Sequence, residues 1–246
     1  MSELDIIIPV YNEGDNIVPT LNSLREHVKT PCRVLIGYDF ETDTTLAALK
    51  RHDFSPLNIV LIKNQGKGAQ GAVLTGFAAA ESKAIVVMPA DDDFNAPILD
   101  EMVEKCRQGC EIVTASRFLP GGCMEGCPLL KAVLVRTASF LLYHLARVPS
   151  HDSTSGFRLF SRRVVRSIPV ESTKGFVYSI ELLVKAHRLG WRVGEVPARW
   201  YERKHGQSRF QVVGWLPAYL KWFFYAFATT YLRRGPETVK LSAYTI

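Results

Sequence analysis

Cysteine is scarce in this chain, with five in 246 residues (Cys32, Cys106, Cys110, Cys123 and Cys127). The sequence also opens on a strand-like run, with no charged segment followed by an apolar signal core. Both absences favour reduced thiols in the cytosol over a disulfide-stapled secreted scaffold. Cys106/Cys110 and Cys123/Cys127 invite a zinc reading, but the first pair is expected to straddle a helix end and not a tight metal knuckle. There is no internal repeat and no low-complexity linker. The most apolar stretch, Trp215–Leu232, is interrupted by Lys221, a costly residue at mid-bilayer, and its length lies at the lower bound for a span.

What is present is an ordinary globular composition, 47% apolar and 22% charged, with enough chain for a substantial core. The net charge of +6 is unevenly spread. Residues 1–150 hold 14 Lys+Arg against 18 Asp+Glu, and residues 151–246 hold 16 against 6. A basic C-terminal third attracts phosphates, whether on nucleotide, nucleic acid or anionic lipid.

The first half alternates short β-rich runs with helical patterns. Strands are expected at Leu4–Val10, Arg33–Tyr38, Ile59–Lys63, Ala84–Met88 and Glu111–Ser116, with helices near Ile17–His27, Thr44–Arg51, Gly68–Ala80 and Pro97–Arg107. Asn95 is available to cap the last of these. That pattern predicts a mostly parallel, twisted α/β sheet flanked by helices, with ligands bound beyond the carboxyl ends of the strands. Further on come helical patterns from Leu129 to about Arg147 and at Tyr178–Leu189, a strand-like run at Arg192–Pro197, and the aromatic-rich run from Trp215. The expected division is a catalytic domain over 1–212 and a C-terminal helix and tail over 213–246.

Three segments carry chemistry. After an apolar strand comes Asp91-Asp92-Asp93, and hard divalent cations such as Mg²⁺ and Mn²⁺ take such oxygen ligands. An isolated acidic cluster is as often a solvated turn, but Asn95 already offers the cap. Asn64–Gly71 is a glycine-rich turn between strand and helix. It contains the dinucleotide-binding spacing Gly66-x-Gly68-x-x-Gly71, so a dehydrogenase is the rival enzyme class. Against that rival, two strands precede the motif, and a ribose-binding acid needs no acidic neighbours. Pro9, Tyr11 and Glu13 end the first strand with a ring that can cover a base and a carboxylate that can accept from base N–H groups; Asp39 and Asp43 follow the second strand toward the same crevice. In isolation the same residues read as a strand end and as turn or capping groups.

Taken together, Ile7–Glu13, Asp39–Thr45, Asn64–Gly76, Val87–Asp93, Ala115–Phe118, Asp152–Phe157 and Glu195–Ser208 resemble the family-two glycosyltransferases of GT-A fold. Within them the chain is similar to the dolichyl-phosphate mannose synthase-like, polyprenyl-phosphate branch. The likeness runs from Leu4 to about Phe210. It implies a Rossmann-like nucleotide-binding core and an inverting transfer from a GDP-mannose or UDP-glucose type donor to a polyprenyl phosphate. It implies that Pro9, Tyr11, Glu13 and Asp39 hold the base and ribose, that Lys67, Gly68 and Ser155 join the substrate site, and that Asp91 and Asp93 hold Mg²⁺ or Mn²⁺. Arg117, Arg136, Arg203 and Arg209 are candidates to grip phosphates, Arg117 and Arg203 first, because a guanidinium fork suits them. The family usually has an aspartate where Pro89 stands, and its second-strand motif differs from Tyr38-Asp39-Phe40-Glu41.

A phosphate acceptor is already an anion near neutral pH, so it needs no general base, whereas a hydroxyl acceptor needs one. Glu181, inside a helical run, is no convincing base. The alternatives kept open are a hydroxyl acceptor and a catalytically weak nucleotide-sugar-binding module. The C-terminal helix either lies on a membrane surface, spans it, or packs against the catalytic domain or a partner. The expected location is the cytoplasmic face of a membrane, with no nucleic acid bound and with a membrane protein or a second copy as the partner to look for.

Overall fold

The computed structural model describes residues 2–202 and 212–242, without the side chains of 212 and 213. Five strands and four helices alternate through the first half: β1 (Leu4–Pro9), α1 (Ile17–His27), β2 (Cys32–Tyr38), α2 (Thr44–Arg51), β3 (Asn58–Lys63), α3 (Gly68–Ala79), β4 (Ala84–Val87), α4 (Leu99–Arg107) and β5 (Ile112–Ser116). The second half adds β6 (Cys123–Glu125), α5 (Leu129–His144), β7 (Arg158–Ser161), α6 (Arg162–Ser167), α7 (Val177–Arg188), β8 (Val193–Pro197), β9 (Arg199–Tyr201) and α8 (Val212–Tyr231). The main sheet runs β3-β2-β1-β4-β7-β5-β8. All its pairings are parallel except those of β7, which lies antiparallel between β4 and β5.

Helices cover both faces, which is why β1, β4 and β5 can be almost continuously apolar. Alternate residues divide between two cores. Leu4, Ile6 and Ile8 of β1 meet Leu21 of α1 and Met102 of α4 on one face. Ile7 faces Phe77 of α3, with Phe160, Tyr178 and Trp222, on the other. Gly76 allows α3 its close approach, since a Cβ there would lie 2.7 Å from Ile7 Cγ2. Asp5, fully buried in β1, is satisfied by a two-pronged pair with Arg33 and by the amides of Glu81 and Ser82.

The C-terminal helix α8 buries one side. Trp222 and Ala226 are enclosed. Arg188 of α7 donates to Thr229 Oγ1 (2.9 Å) and Tyr225 O (2.8 Å) and stacks on the Tyr225 ring. Lys185, also of α7, pairs with Glu171 and Glu181, and Glu171 reaches Lys221 of α8 at 3.2 Å. The other side leaves Phe224 63% exposed. Among the described residues no helix is long and apolar enough to cross a membrane.

Asn95 does not cap α4, contrary to expectation. Its side chain instead bridges the Asp92 carboxylate and both backbone polar groups of Arg199, tying the acidic turn to β9. A side-chain amide carries donor and acceptor together, so it can satisfy a lone strand residue and a carboxylate at once.

Candidate active site

The carboxyl ends of β1, β2, β3 and β4 lie side by side, so the loops leaving them emerge together along one edge of the sheet. Beyond β1, Tyr11 is 42% exposed and meets Phe40 edge-on at 5.4 Å. The turn is fastened to α2: the Asn12 and Thr45 amides donate to Asp43, the Glu13 amide to Thr45 Oγ1, and the Thr44 amide to Asn12 Oδ1. Asp43 therefore works as the α2 cap, while Asp39 accepts from Asn64 Nδ2 at the end of β3.

The glycine-rich turn is a backbone contact. Asn64 Oδ1 accepts the Gly66 amide, and a Cβ on Gly71 would lie 2.7 Å from that oxygen and 2.9 Å from Gly66 Cα, so no side chain fits. Gly68 has φ +59° with open space before it, a conformation that favours glycine. This turn leads into the N-terminus of α3, which has no side-chain cap from Lys67, and the helix end with exposed Lys67 beside it forms a favourable setting for an anion.

From β4 the chain enters a cavity of about 370 Å³. Its polar end contains Asp91, Asp92, Asn95, Arg117 and Thr154. Its apolar wall is built by α5 through Leu134 and Leu142 and by α8 through Leu216, Leu220 and Phe223. Burial pushes the Asp92 carboxyl up to about 6, against the opposing pull of its bonds from Asn95. Asp93 lies outside the cavity lining, and its backbone carbonyl accepts from Ser23 Oγ at 2.7 Å. Among the described residues no three His, Cys, Asp or Glu side chains group closely enough to hold a metal. Asp91 on the wall still suits a hard cation that arrives with a diphosphate, because such ions use one or two carboxylates and complete their shell with phosphate oxygens and water.

Arg117 enters the cavity from the end of β5, held by Asp152: Nε donates to Oδ2 at 2.6 Å, Nη2 to Oδ1 at 2.7 Å, and the Arg117 amide to Oδ2 at 3.1 Å. Nη2 also reaches Thr154 Oγ1. Burial alone would raise the Asp152 carboxyl, yet the Arg117 guanidinium holds it below the usual carboxylate range. The Phe118 ring lies against both Arg117 (5.3 Å) and Arg136 (5.2 Å), though Arg136 is exposed on α5 and outside the cavity lining. Ser155 lines the cavity with its hydroxyl turned to the Phe157 backbone. Arg203 and Arg209 lie outside the described residues. Glu181 is fully buried and accepts the Glu171 and Ser172 amides and Lys185 Nζ, so it is not placed to act as a base.

Thus Asp91, Arg117, Ser155 and Pro89 share one cavity, while Pro9, Tyr11, Glu13, Asp39, Lys67 and Gly68 stand at the neighbouring ends of β1, β2 and β3 and outside the cavity lining. Neither the bridging role of Asn95 nor the pairing of Asp152 with Arg117 is legible from residue type or spacing. That pair joins residues 35 apart, with Asp152 on the segment that leads into β7, the strand paired with β5.

The family model for glycosyl transferase family 2 matches residues 5–168. The chain is 29% identical over 211 residues to polyprenol monophosphomannose synthase of Mycolicibacterium smegmatis, covering 83% of this chain and 79% of that protein. It is 29% identical over 209 residues to undecaprenyl-phosphate mannosyltransferase of Micrococcus luteus, covering 82% and 85%. In three dimensions it resembles glucosyl-3-phosphoglycerate synthase of Mycobacterium tuberculosis bound to UDP, with a TM-score of 0.65, 18% identity, and coverage of 92% of this chain and 80% of that one. The same enzyme with Mn²⁺, UDP and glucosyl-3-phosphoglycerate gives 0.66 at 16% identity, again covering 92% and 80%.

Proposed function

As the chain belongs to glycosyl transferase family 2, we propose that it transfers a sugar from a nucleoside-diphosphate sugar to a polyprenyl phosphate, inverting the anomeric centre. The carrying observation is the two-ended cavity: carboxylates and a guanidinium at the strand ends, and a wall of aliphatic and aromatic side chains from α5 and α8. A polyprenyl phosphate has that same division between an anionic head and a hydrocarbon chain. Both curated relatives carry names that state a polyprenyl or undecaprenyl phosphate product or acceptor, which supports the reading.

In this reading Tyr11 covers the base and Asp39 and Glu13 accept from base or ribose. Pro9 shapes the strand end, and Lys67 with the Gly68 amide meets the diphosphate. Asp91 is the principal carboxylate for a divalent cation, Mg²⁺ or Mn²⁺, and Asp93 is the second oxygen donor in the same turn. When bound, such a cation neutralises charge on the departing diphosphate. Arg117 presents its guanidinium to the acceptor phosphate, and Arg136, Arg203 and Arg209 supply further positive charge along its path. The acceptor oxygen needs no proton removed near neutral pH, which agrees with Glu181 being committed to structure. The test is a panel of nucleotide-sugars offered with a polyprenyl phosphate. Sugar is expected in the organic phase with one donor of the panel, and label that stays aqueous with every donor rejects the lipid acceptor.

We further place the enzyme at a membrane surface, since α5 and α8 expose apolar side chains near the cavity: Leu129 (80%), Leu130 (75%) and Phe224 (63%). Replacing Leu129, Leu130 and Phe224 together by aspartate should reduce flotation with anionic vesicles at least fivefold and leave nucleotide affinity within twofold. Equal flotation of variant and parent would remove these helices as the membrane contact.

A further inference from the structure

Three side chains stand abreast on the sheet just behind the cavity. Thr114 of β5 is in register with Arg158 of β7 on one side and Glu195 of β8 on the other. Arg158 is fully buried, and burial drags its guanidinium down to about 10. It donates to Thr114 Oγ1 (3.0 Å), Ser179 Oγ (2.7 Å) and the Asp152 carbonyl (2.9 Å), with no carboxylate of the described residues in direct contact. Glu195 accepts Ser150 Oγ (3.0 Å) and the His151 amide (2.8 Å) on one oxygen, and His151 Nδ1 lies 2.7 Å from the other. The His151 ring stacks on Tyr143 of α5 at 3.9 Å. The row therefore grips the segment before β7 at consecutive residues: Glu195 holds Ser150 and His151, and Arg158 holds Asp152.

Asp152 is the residue that aims Arg117. Two carboxylates, Asp152 and Glu195, balance two guanidiniums, Arg117 and Arg158, in this buried space. If Glu195 lost its charge, Asp152 alone among the described carboxylates would answer Arg158, in competition with Arg117. An uncompensated buried cation is strongly unfavourable, so that competition is real.

We propose that Glu195, acting with Thr114 and Arg158, is a positioning residue for acceptor recognition: it fixes the Ser150–His151 turn so that Asp152 holds the Arg117 guanidinium in place at the cavity. This rests on the reading in which Arg117 meets the acceptor phosphate. It adds a residue that touches neither substrate and acts through a neighbour.

The test uses the full chain, a polyprenyl phosphate in detergent micelles, and whichever of GDP-mannose or UDP-glucose the parent enzyme uses. Glu195→Gln should raise the acceptor KM about tenfold, with the donor KM within twofold, a split that general loosening of the fold would not produce. In an Arg117→Ala background the same substitution should add nothing, because its effect passes through that guanidinium. Ser150→Ala, which removes one bond to Glu195 at little risk to folding, should give the same split at about threefold and serves if Glu195→Gln fails to fold. Equal rises in both KM values, unchanged kinetics in both variants, or effects that multiply with Arg117→Ala would overturn the positioning role alone. A parent enzyme that transfers no sugar to lipid phosphate would overturn the functional reading and this inference with it.

Discussion

Asp91→Ala should lower sugar transfer by about 1,000-fold, roughly 4 kcal/mol of transition-state stabilisation at 1.36 kcal/mol per decade. Asp91 stands on the loop after β4, at the polar end of the cavity, and is not the cap residue of the helices that follow. Its neighbour Asp92 carries the structural duty, accepting the Asn95 amide and side chain. Nucleoside-diphosphate binding measured in Mn²⁺ should weaken at least tenfold in the variant, and chelator should bring the parent to the variant's affinity. Asp93→Ala separates the two acids: its side chain lies outside the cavity lining, so its loss is expected to be smaller than that of Asp91. Full transfer by Asp91→Ala would remove the acidic turn from the chemistry.

The second large effect is on stability. Asp152→Asn takes from a buried Arg117 the carboxylate that, among the described residues, pairs with it, and deprives Arg158 of the negative charge that acts on it most. Breaking one side of a buried pair costs about 3–5 kcal/mol, which for a chain of this size lowers the unfolding temperature by roughly 6–20 °C. Replacing the pair with apolar residues of similar shape, as in Asp152→Leu with Arg117→Met, should recover much of that stability because no charge at that pair is then left unanswered. The double variant should still be inactive. Urea denaturation of the three proteins measures this directly, and a loss below about 1 kcal/mol in Asp152→Asn would mean that water reaches the pair.

The parts of the fold open to sequence reading are those with local causes. Alternating apolar strands and amphipathic helices are written in neighbouring residues, and the first five strands fall within a residue or two of their expected bounds. So does the placing of Asp91 and the glycine-rich turn beyond strand ends. β7 was not legible, because Arg158-Leu159-Phe160-Ser161 is only four residues long and begins with an arginine that ordinarily stays exposed. Its burial depends on Thr114, Ser179 and Asp152, groups from other parts of the chain. β6 and β9 are three residues each and pair only with one another. In the site, the bond between Arg117 and Asp152 and the bridge from Asn95 to Arg199 have the same non-local origin.

The insertion of β7 also governs how the chain comes off the ribosome. β4 is apolar at all four positions, and one of its two edges stays bare until Arg158–Ser161 arrives from far along the sequence. At synthesis rates of 5–20 residues per second, that edge waits roughly 4–15 s. An uncovered apolar edge is a template for pairing with other chains, so the interval between β4 and β7 is when a nascent molecule is most exposed to aggregation and most in need of a holding chaperone.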